Sequence, residues 1–512
     1  MRQESRTVKS VLNIKVALLF YILNLILQFF SRKVFLDYLG SEVLGLNTTA
    51  QNLLGFLNLA ELGIGAAVAY NLYKPLYNKD IKTINAIVTI QGWLYRRIAF
   101  IVILGACVIM CFFPFIFAKA NVPLWYAYGS FIVFLFSSLL SYFVNYQQVV
   151  LSADQKEYKV TLVVQGIKII KVVLQILAII FFLNGYLWWM LIEVVMAFLT
   201  SYRLNQTIRK EYPWLLPKIS EGKKLRKEYP QVLLKTKQIF YHKIGGFALT
   251  QTSPLIIYAY ASLTLVAIYG NYMLIVSGVT LLISALLNGI YAAVGNLVAE
   301  GDKTHIKDVF WELTSLRMWL ASIICFGIYV LADSFISLWV GSQYILPHSS
   351  LLLLVCITFI NLSRTNDAFI AAYGLYQDIW APIVEATLNI GLSILFGYFW
   401  GLSGILLGVL VSLLVVVYSW KPYFLYKYGF KESITEYLKR YMKYFILYFI
   451  SVVLSLFVIN KLVLIQLSSY ISWGIYSVVV VSVYAFISLF LLYIADIGAR
   501  RFVYRFFKIL HL

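Results

Sequence analysis

Long apolar runs follow one another almost end to end along this chain, each closed by a short polar or Gly/Pro/Asn-rich break. They lie near 11–36, 44–72, 84–117, 125–151, 160–183, 186–208, 238–262, 264–298, 309–340, 346–373, 379–400, 402–426, 441–464 and 471–497. A helix that crosses hydrocarbon needs about 20 mostly apolar residues, and every run supplies them. Of 512 residues, 62% are hydrophobic and only 12% charged, far from the balance that a soluble domain keeps. The expected fold is an all-α polytopic membrane protein of about 14 transmembrane helices. The four cysteines sit inside apolar runs without metal-site or disulfide spacing, so no metal or other cofactor is expected.

The formal net charge is +20, and where the basic residues fall explains it without nucleic acid. With both termini placed in the cytoplasm, most of the 42 Lys/Arg fall on inside segments, and outside segments hold only Arg32, Lys33, Lys119 and Lys461. The largest contributor is the connection 203–237, where ten basic residues face only Glu211, Glu221 and Glu228. The excess therefore reads as a topology signal and as contact with anionic membrane lipids. All outside loops are short, which leaves no room for the folded acidic loop of a membrane polymerase or glycosyltransferase. No G-x-x-x-x-G-K-[ST] sequence occurs, so ATP binding is not expected. The chain reads as a transporter rather than an enzyme.

A weak internal repeat divides it. Ile64–Tyr70 (IGAAVAY) reappears as Ile290–Asn296 (IYAAVGN), each near the end of a long apolar run and before a short basic loop. The next helices carry Arg96-Arg97 and Arg317 at similar depths. Because an even number of helices separates the copies, the repeat is parallel, as in many transporters. Expected lobes are 1–236, six helices and the basic linker, and 237–440, six more helices. These pseudo-symmetric lobes enclose a central cationic cavity, and 441–512 adds two helices and a basic tail.

Polar stripes mark which faces avoid lipid. Asn24, Gln28, Ser31 and Arg32 fall within about 100° of the first helix, and Asn47, Gln51, Asn58 and Glu61 within about 80° of the second. Gln165, Lys168, Lys171 and Gln175 span about 120° of the fifth, with both lysines near mid-membrane. In the second lobe, Lys243, Gly246, Thr250 and Ser253 form a stripe ending at Pro254. Asn361, Arg364 and Asp367 cluster halfway along the tenth helix, and Glu385 with Asn389 follows on the eleventh. A charge facing lipid at mid-depth costs at least about 2.5–3.5 kcal/mol, so these faces line protein or water.

Each charge also has a plainer reading. Lys15 snorkels to the interface, Arg96-Arg97 and Lys243 mark it, and Arg364 with Asp367 at i+3 forms a buried pair. Lys168 and Lys171 have no acid within a turn of their own helix and are read as ligand-facing. Glu61 either pairs with one of these bases or takes up a proton, and Asp367 and Glu385 share the possible role in ion coupling. Basic candidates outnumber acidic ones, which implies an anionic or polar substrate.

Ser31–Gly40 (SRKVFLDYLG) followed by Gly45-Leu46-Asn47, then Leu59–Ala67 (LAELGIGAA) and Leu72–Leu76 (LYKPL), resembles the Wzx-type polysaccharide flippases of the multidrug/oligosaccharidyl-lipid/polysaccharide exporter superfamily. Ala372–Tyr376 (AYGLY), Glu385–Ser393 (EATLNIGLS) and Gly401–Ile405 (GLSGI) resemble that family's second half, so the likeness runs over roughly residues 10–430. The resemblance implies a two-lobed, V-shaped transporter in a bacterial cytoplasmic membrane. Its implied cargo is an undecaprenyl-pyrophosphate-linked oligosaccharide, carried by alternating access from the cytoplasmic to the outer leaflet for capsule, exopolysaccharide or O-antigen assembly. A polysaccharide polymerase and a chain-length regulator are the implied protein partners. Two alternatives stay open: a lipid II flippase of the same superfamily, and a cation-coupled multidrug antiporter in which Glu61 carries the proton. Only Glu61 and Glu193 in the first lobe suit the antiporter.

Overall fold

The computed structural model describes residues 6–61, 64–234, 236, 253–375, 377–378, 380–462 and 469–510. Among the described residues there is no β-strand, and eleven helical stretches are long and apolar enough to cross a membrane. Two of these are double length, Lys15–Leu57 and Trp380–Phe430. Each breaks at a glycine with positive φ, Gly40 (φ 83°) and Gly401 (φ 54°), a backbone state open to glycine at little cost. Divided there, the eleven stretches account for thirteen of the fourteen runs. The remaining run, 238–262, lies mostly outside the described residues, as do Lys243, Gly246 and Thr250. The chain is an all-α polytopic membrane protein.

Two compact units divide it, residues 1–267 and 268–512. In the first, α1 (Arg6–Leu57) is followed by α2 (Ile64–Asn78), α3 (Ile81–Cys111), α4 (Leu124–Phe143), α5 (Glu157–Phe181) and α6 (Gly185–Glu211). α5 packs along both α1 and α6, and α4 closes against α1 and α6. Phe35 sets its edge against Tyr186 and Trp189, whose rings stack at 5.7 Å. The basic linker is structured. Its short helix α7 (Gly222–Glu228) docks on α3, where the Asn85 amide donates to the Trp214 carbonyl and its oxygen accepts from the Leu216 N–H. Gly222 abuts Trp93, whose ring carries the guanidinium groups of Arg97 (4.2 Å) and Arg226 (5.0 Å).

The second unit holds α8 (Leu263–Glu300, from Ile268 on), α9 (Lys303–Trp339), α10 (His348–Leu362), α11 (Asn366–Ala372), α12 (Trp380–Leu413), α13 (Thr435–Leu462), α14 (Tyr470–Ala495) and α15 (Ile497–Leu510). Across Gly401, the two limbs of α12 double back on each other without a loop. The close approach requires Gly404 and Gly408: a Cβ there would meet the Phe396 carbonyl oxygen at 1.9 Å and the Ser393 nitrogen at 2.4 Å. The Ser393 hydroxyl donates across this seam to the Ile405 carbonyl. An aromatic core built on Phe310, Trp311, Phe369, Phe430, Tyr437 and Tyr441 fills the end of the unit near α15.

Two long helices, one in each unit, start alike. α3 follows Lys79 (φ 55°) and is capped by Asp80, which accepts the Thr83 N–H at 3.0 Å; α9 follows Gly301 (φ 81°) and is capped by Asp302, which accepts from Thr304 and His305. Hydrogen bonds from Thr83 hold the Asp80 carboxyl below the usual carboxylate range.

Candidate functional site

Most polar residues that stripe the first unit find partners between helices. The Asn24 amide donates to Gln165 Oε1 (3.1 Å), tying α1 to α5. Asn47 accepts from the Tyr186 hydroxyl (2.7 Å), and Asn58 accepts from Tyr142 (2.8 Å) and Ser138 (3.1 Å). Arg32 donates to the Ala267 carbonyl at 2.9 Å. Gln28 and Gln51 are exposed, as are Arg96 and Arg97 at the level of the docked linker.

The paired lysines of α5 differ. Lys171 Nζ lies 2.6 Å from Glu193 Oε1 on α6, and the Gln175 amide donates to the other oxygen of Glu193 at 2.9 Å. Lys171 is thus neutralised by an acid on the neighbouring helix, 22 positions along the chain and outside its own helical turn. Lys168, half-buried, makes no hydrogen bond or ion pair among the described residues.

Glu61 accepts a hydrogen bond from the Tyr95 hydroxyl (2.8 Å) and borders a cavity of about 550 Å³. Gln91, Gln148, Glu157 and Gln165 share its wall, and among the described residues no lysine or arginine does. This cavity, within the first unit, is acidic and polar.

In the second unit, charge concentrates at a helix break. α10 ends at Leu362 and α11 begins at Asn366, so Arg364 stands on non-helical backbone at the depth of a membrane span. The expected i+3 pair of Arg364 with Asp367 depends on continuous helix and does not form. Instead, Arg364 lies 3.6 Å from Glu385 on α12, too long for a hydrogen bond, and Asp367 binds Lys421 at 2.7 Å. Arg317 of α9 donates to the Arg364 carbonyl at 2.7 Å, satisfying a backbone oxygen that the break leaves free. Three cations and two carboxylates therefore meet here, and the cluster carries one net positive charge. Asn389, one turn beyond Glu385, is fully buried, and neither amide atom has a hydrogen-bond partner among the described residues. Asn361, expected beside Arg364, is exposed on α10.

Beside this cluster runs an apolar groove of about 850 Å³, walled by Phe326, Leu352, Phe359, Phe445 and Phe449 among others. Tyr418 joins the two: its ring lines the groove, and its hydroxyl lies 2.7 Å from that of Ser363, the residue before Arg364. Lys421, Arg317, Tyr418 and Tyr95 are participants that the sequence does not single out as site residues. A Lys-Pro pair near the end of run 402–426 was the available signal for Lys421.

No protein-family model matches the chain, and no curated protein matches its sequence. Solved structures do match. A lipid II flippase MurJ in an inward closed conformation aligns at 14% identity over 94% of this chain and 99% of its own, with a TM-score of 0.62. A multidrug resistance MATE family transporter of the MOP superfamily, in an inward-facing conformation, aligns at 12% identity over 81% of this chain and 97% of its own, with a TM-score of 0.59. The chain therefore has the fold that a lipid II flippase and a MATE transporter share.

Proposed function

We propose that this protein is a flippase that moves an undecaprenyl-pyrophosphate-linked oligosaccharide from the cytoplasmic to the outer leaflet of a bacterial membrane, by alternating access, for surface polysaccharide assembly. One observation carries the reading: a cluster of Arg317, Arg364 and Lys421 neighbours an apolar groove, the two joined through Tyr418 and Ser363. A cargo with an anionic head and a polyprenyl tail fits that pairing of surfaces.

The chemistry follows from the charge balance. Glu385 and Asp367 hold Arg364 and Lys421, and Arg317, bonded to the Arg364 carbonyl, supplies the net positive charge. A diphosphate competes for Arg364 and Lys421, and the 3.6 Å Arg364–Glu385 contact is the weaker of the two pairs to displace. Carrying a head of charge about −2 outward, down an inside-negative potential of about 100 mV, releases roughly 4–5 kcal/mol. The driving force therefore needs no bound nucleotide. Lys168 offers a further unpaired cation in the first unit.

The fold shared with MurJ favours a second reading, a lipid II flippase, which uses the same head-and-tail logic. The acidic cavity at Glu61 favours coupling to a cation, whichever lipid is carried. To test the proposal, Arg364→Gln and Lys421→Gln are combined in the producing cell. The expected result is loss of surface polysaccharide and accumulation of lipid-linked repeat units at the inner leaflet, with normal amounts of protein in the membrane. Wild-type polymer in that variant contradicts the assignment. Arrested cell-wall synthesis with polysaccharide untouched selects the lipid II reading.

A further inference from the structure

The last turns of α6 carry Arg203, Gln206, Thr207 and Lys210, at spacings that stack them on one side of the helix. They form one wall of a groove of about 590 Å³ on the first unit. The opposite wall belongs to α5 and is apolar: Leu162, Gly166 and Ile170 repeat every four residues along a membrane span. Leu162 and Ile170 are about half exposed, at 47% and 52%. Between them, Gly166 leaves the floor open, since a Cβ there would meet only the tip of Phe20 at 4.0 Å.

The two cations are unclaimed. Among the described residues neither Arg203 nor Lys210 has a carboxylate partner, and Glu211, the adjacent acid, is held by Lys156 and Lys159. Lys210 sits in the last turn of α6, where the negative end of the helix dipole favours positive charge, and the groove runs from there past Arg203 along the span. The eight residues from Arg203 to Lys210 cover about 10 Å of helix, the scale of a lipid headgroup and its first acyl carbons.

We propose that this groove is a binding site for an anionic glycerophospholipid. The phosphate diester sits between Arg203 and Lys210, with the Gln206 amide as a further donor, and one acyl chain lies over Gly166 between Leu162 and Ile170. A zwitterionic headgroup brings its own cation to the same place and is repelled. A lipid seated there braces α5 against α6, the two helices that hold the Lys171–Glu193 pair.

Native mass spectrometry of the full chain, released from detergent micelles containing either dioleoylphosphatidylglycerol or dioleoylphosphatidylcholine, tests this. Wild type is expected to retain phosphatidylglycerol in preference to phosphatidylcholine by about tenfold or more, given roughly 1 kcal/mol per basic residue at an anionic surface. Arg203→Gln with Lys210→Gln should erase the preference. Gly166→Leu, which fills the floor and leaves both charges in place, should lower phosphatidylglycerol retention as well. Lys224→Gln with Lys227→Gln, exposed cations on the docked linker, should leave retention unchanged. Undiminished retention in the Arg203/Lys210 variant overturns the proposal, as does an equal loss in the linker variant. Displacement of the lipid by millimolar inorganic phosphate also overturns it, because the groove would then contribute nothing.

Discussion

Lys171 shows how one residue decides between structure and ligand binding. Its ammonium group and the Glu193 carboxylate sit at 2.6 Å, with only about a fifth and a tenth of their side chains accessible. Removing one member of such a pair strands a buried charge, at a cost of about 3–5 kcal/mol, whereas removing both costs much less. Lys171→Met should therefore lower the melting temperature sharply in detergent, and adding Glu193→Leu should restore most of it. If Lys171 is a structural cation, the double variant also keeps transport. Restored stability with lost transport makes it a cargo ligand instead. The stripe Gln165, Lys168, Lys171, Gln175 was legible because polar residues recurring at helical spacing cannot face lipid. Glu193 was visible as an acid in a span, but nothing local ties it to Lys171. That pairing depends on how α5 and α6 turn toward each other, which one chain of letters does not encode at short range.

Elements were legible wherever glycine or a polar loop ended an apolar run, because those breaks are chemical. Gly401 separates the runs 379–400 and 402–426, and it forms the loopless turn of α12. The break at Arg364 was not legible. Ser363-Arg364-Thr365 contains neither Gly nor Pro, and the helix gives way where Arg317 from another element takes up the exposed carbonyl. The linker shows the same limit: its charges were read, but its docking on Asn85 and Trp93 was not. Two glycine substitutions separate conformational strain from steric exclusion. Gly401→Ala has open space around it and costs only the strain of its positive-φ backbone (φ 54°, ψ −133°), about 1–3 kcal/mol. Gly404→Ala drives a Cβ into the Phe396 carbonyl and should abolish folded yield. Thermal melting and size-exclusion profiles in detergent check both, and similar profiles for the two would contradict the close-approach account.

Across the whole molecule, composition and run length determine the fold class, and the MurJ and MATE likenesses agree with it. Which sugars are carried is not written at this scale, because charge and hydropathy select a head and a tail and ignore hydroxyl stereochemistry. The proposed cargo is an amphiphile recognised by the Arg364 and Lys421 cluster beside its apolar groove. The most direct measurement uses proteoliposomes containing a fluorescent undecaprenyl-diphosphate-linked oligosaccharide, with a membrane-impermeant quencher reporting the leaflet it occupies. Wild type should move the probe toward the positive side faster as the potential is raised, and Arg364→Gln with Lys421→Gln should reduce the rate to that of protein-free vesicles. Equal movement in wild type and variant, or export of a cationic dye with the probe left in place, would contradict the account.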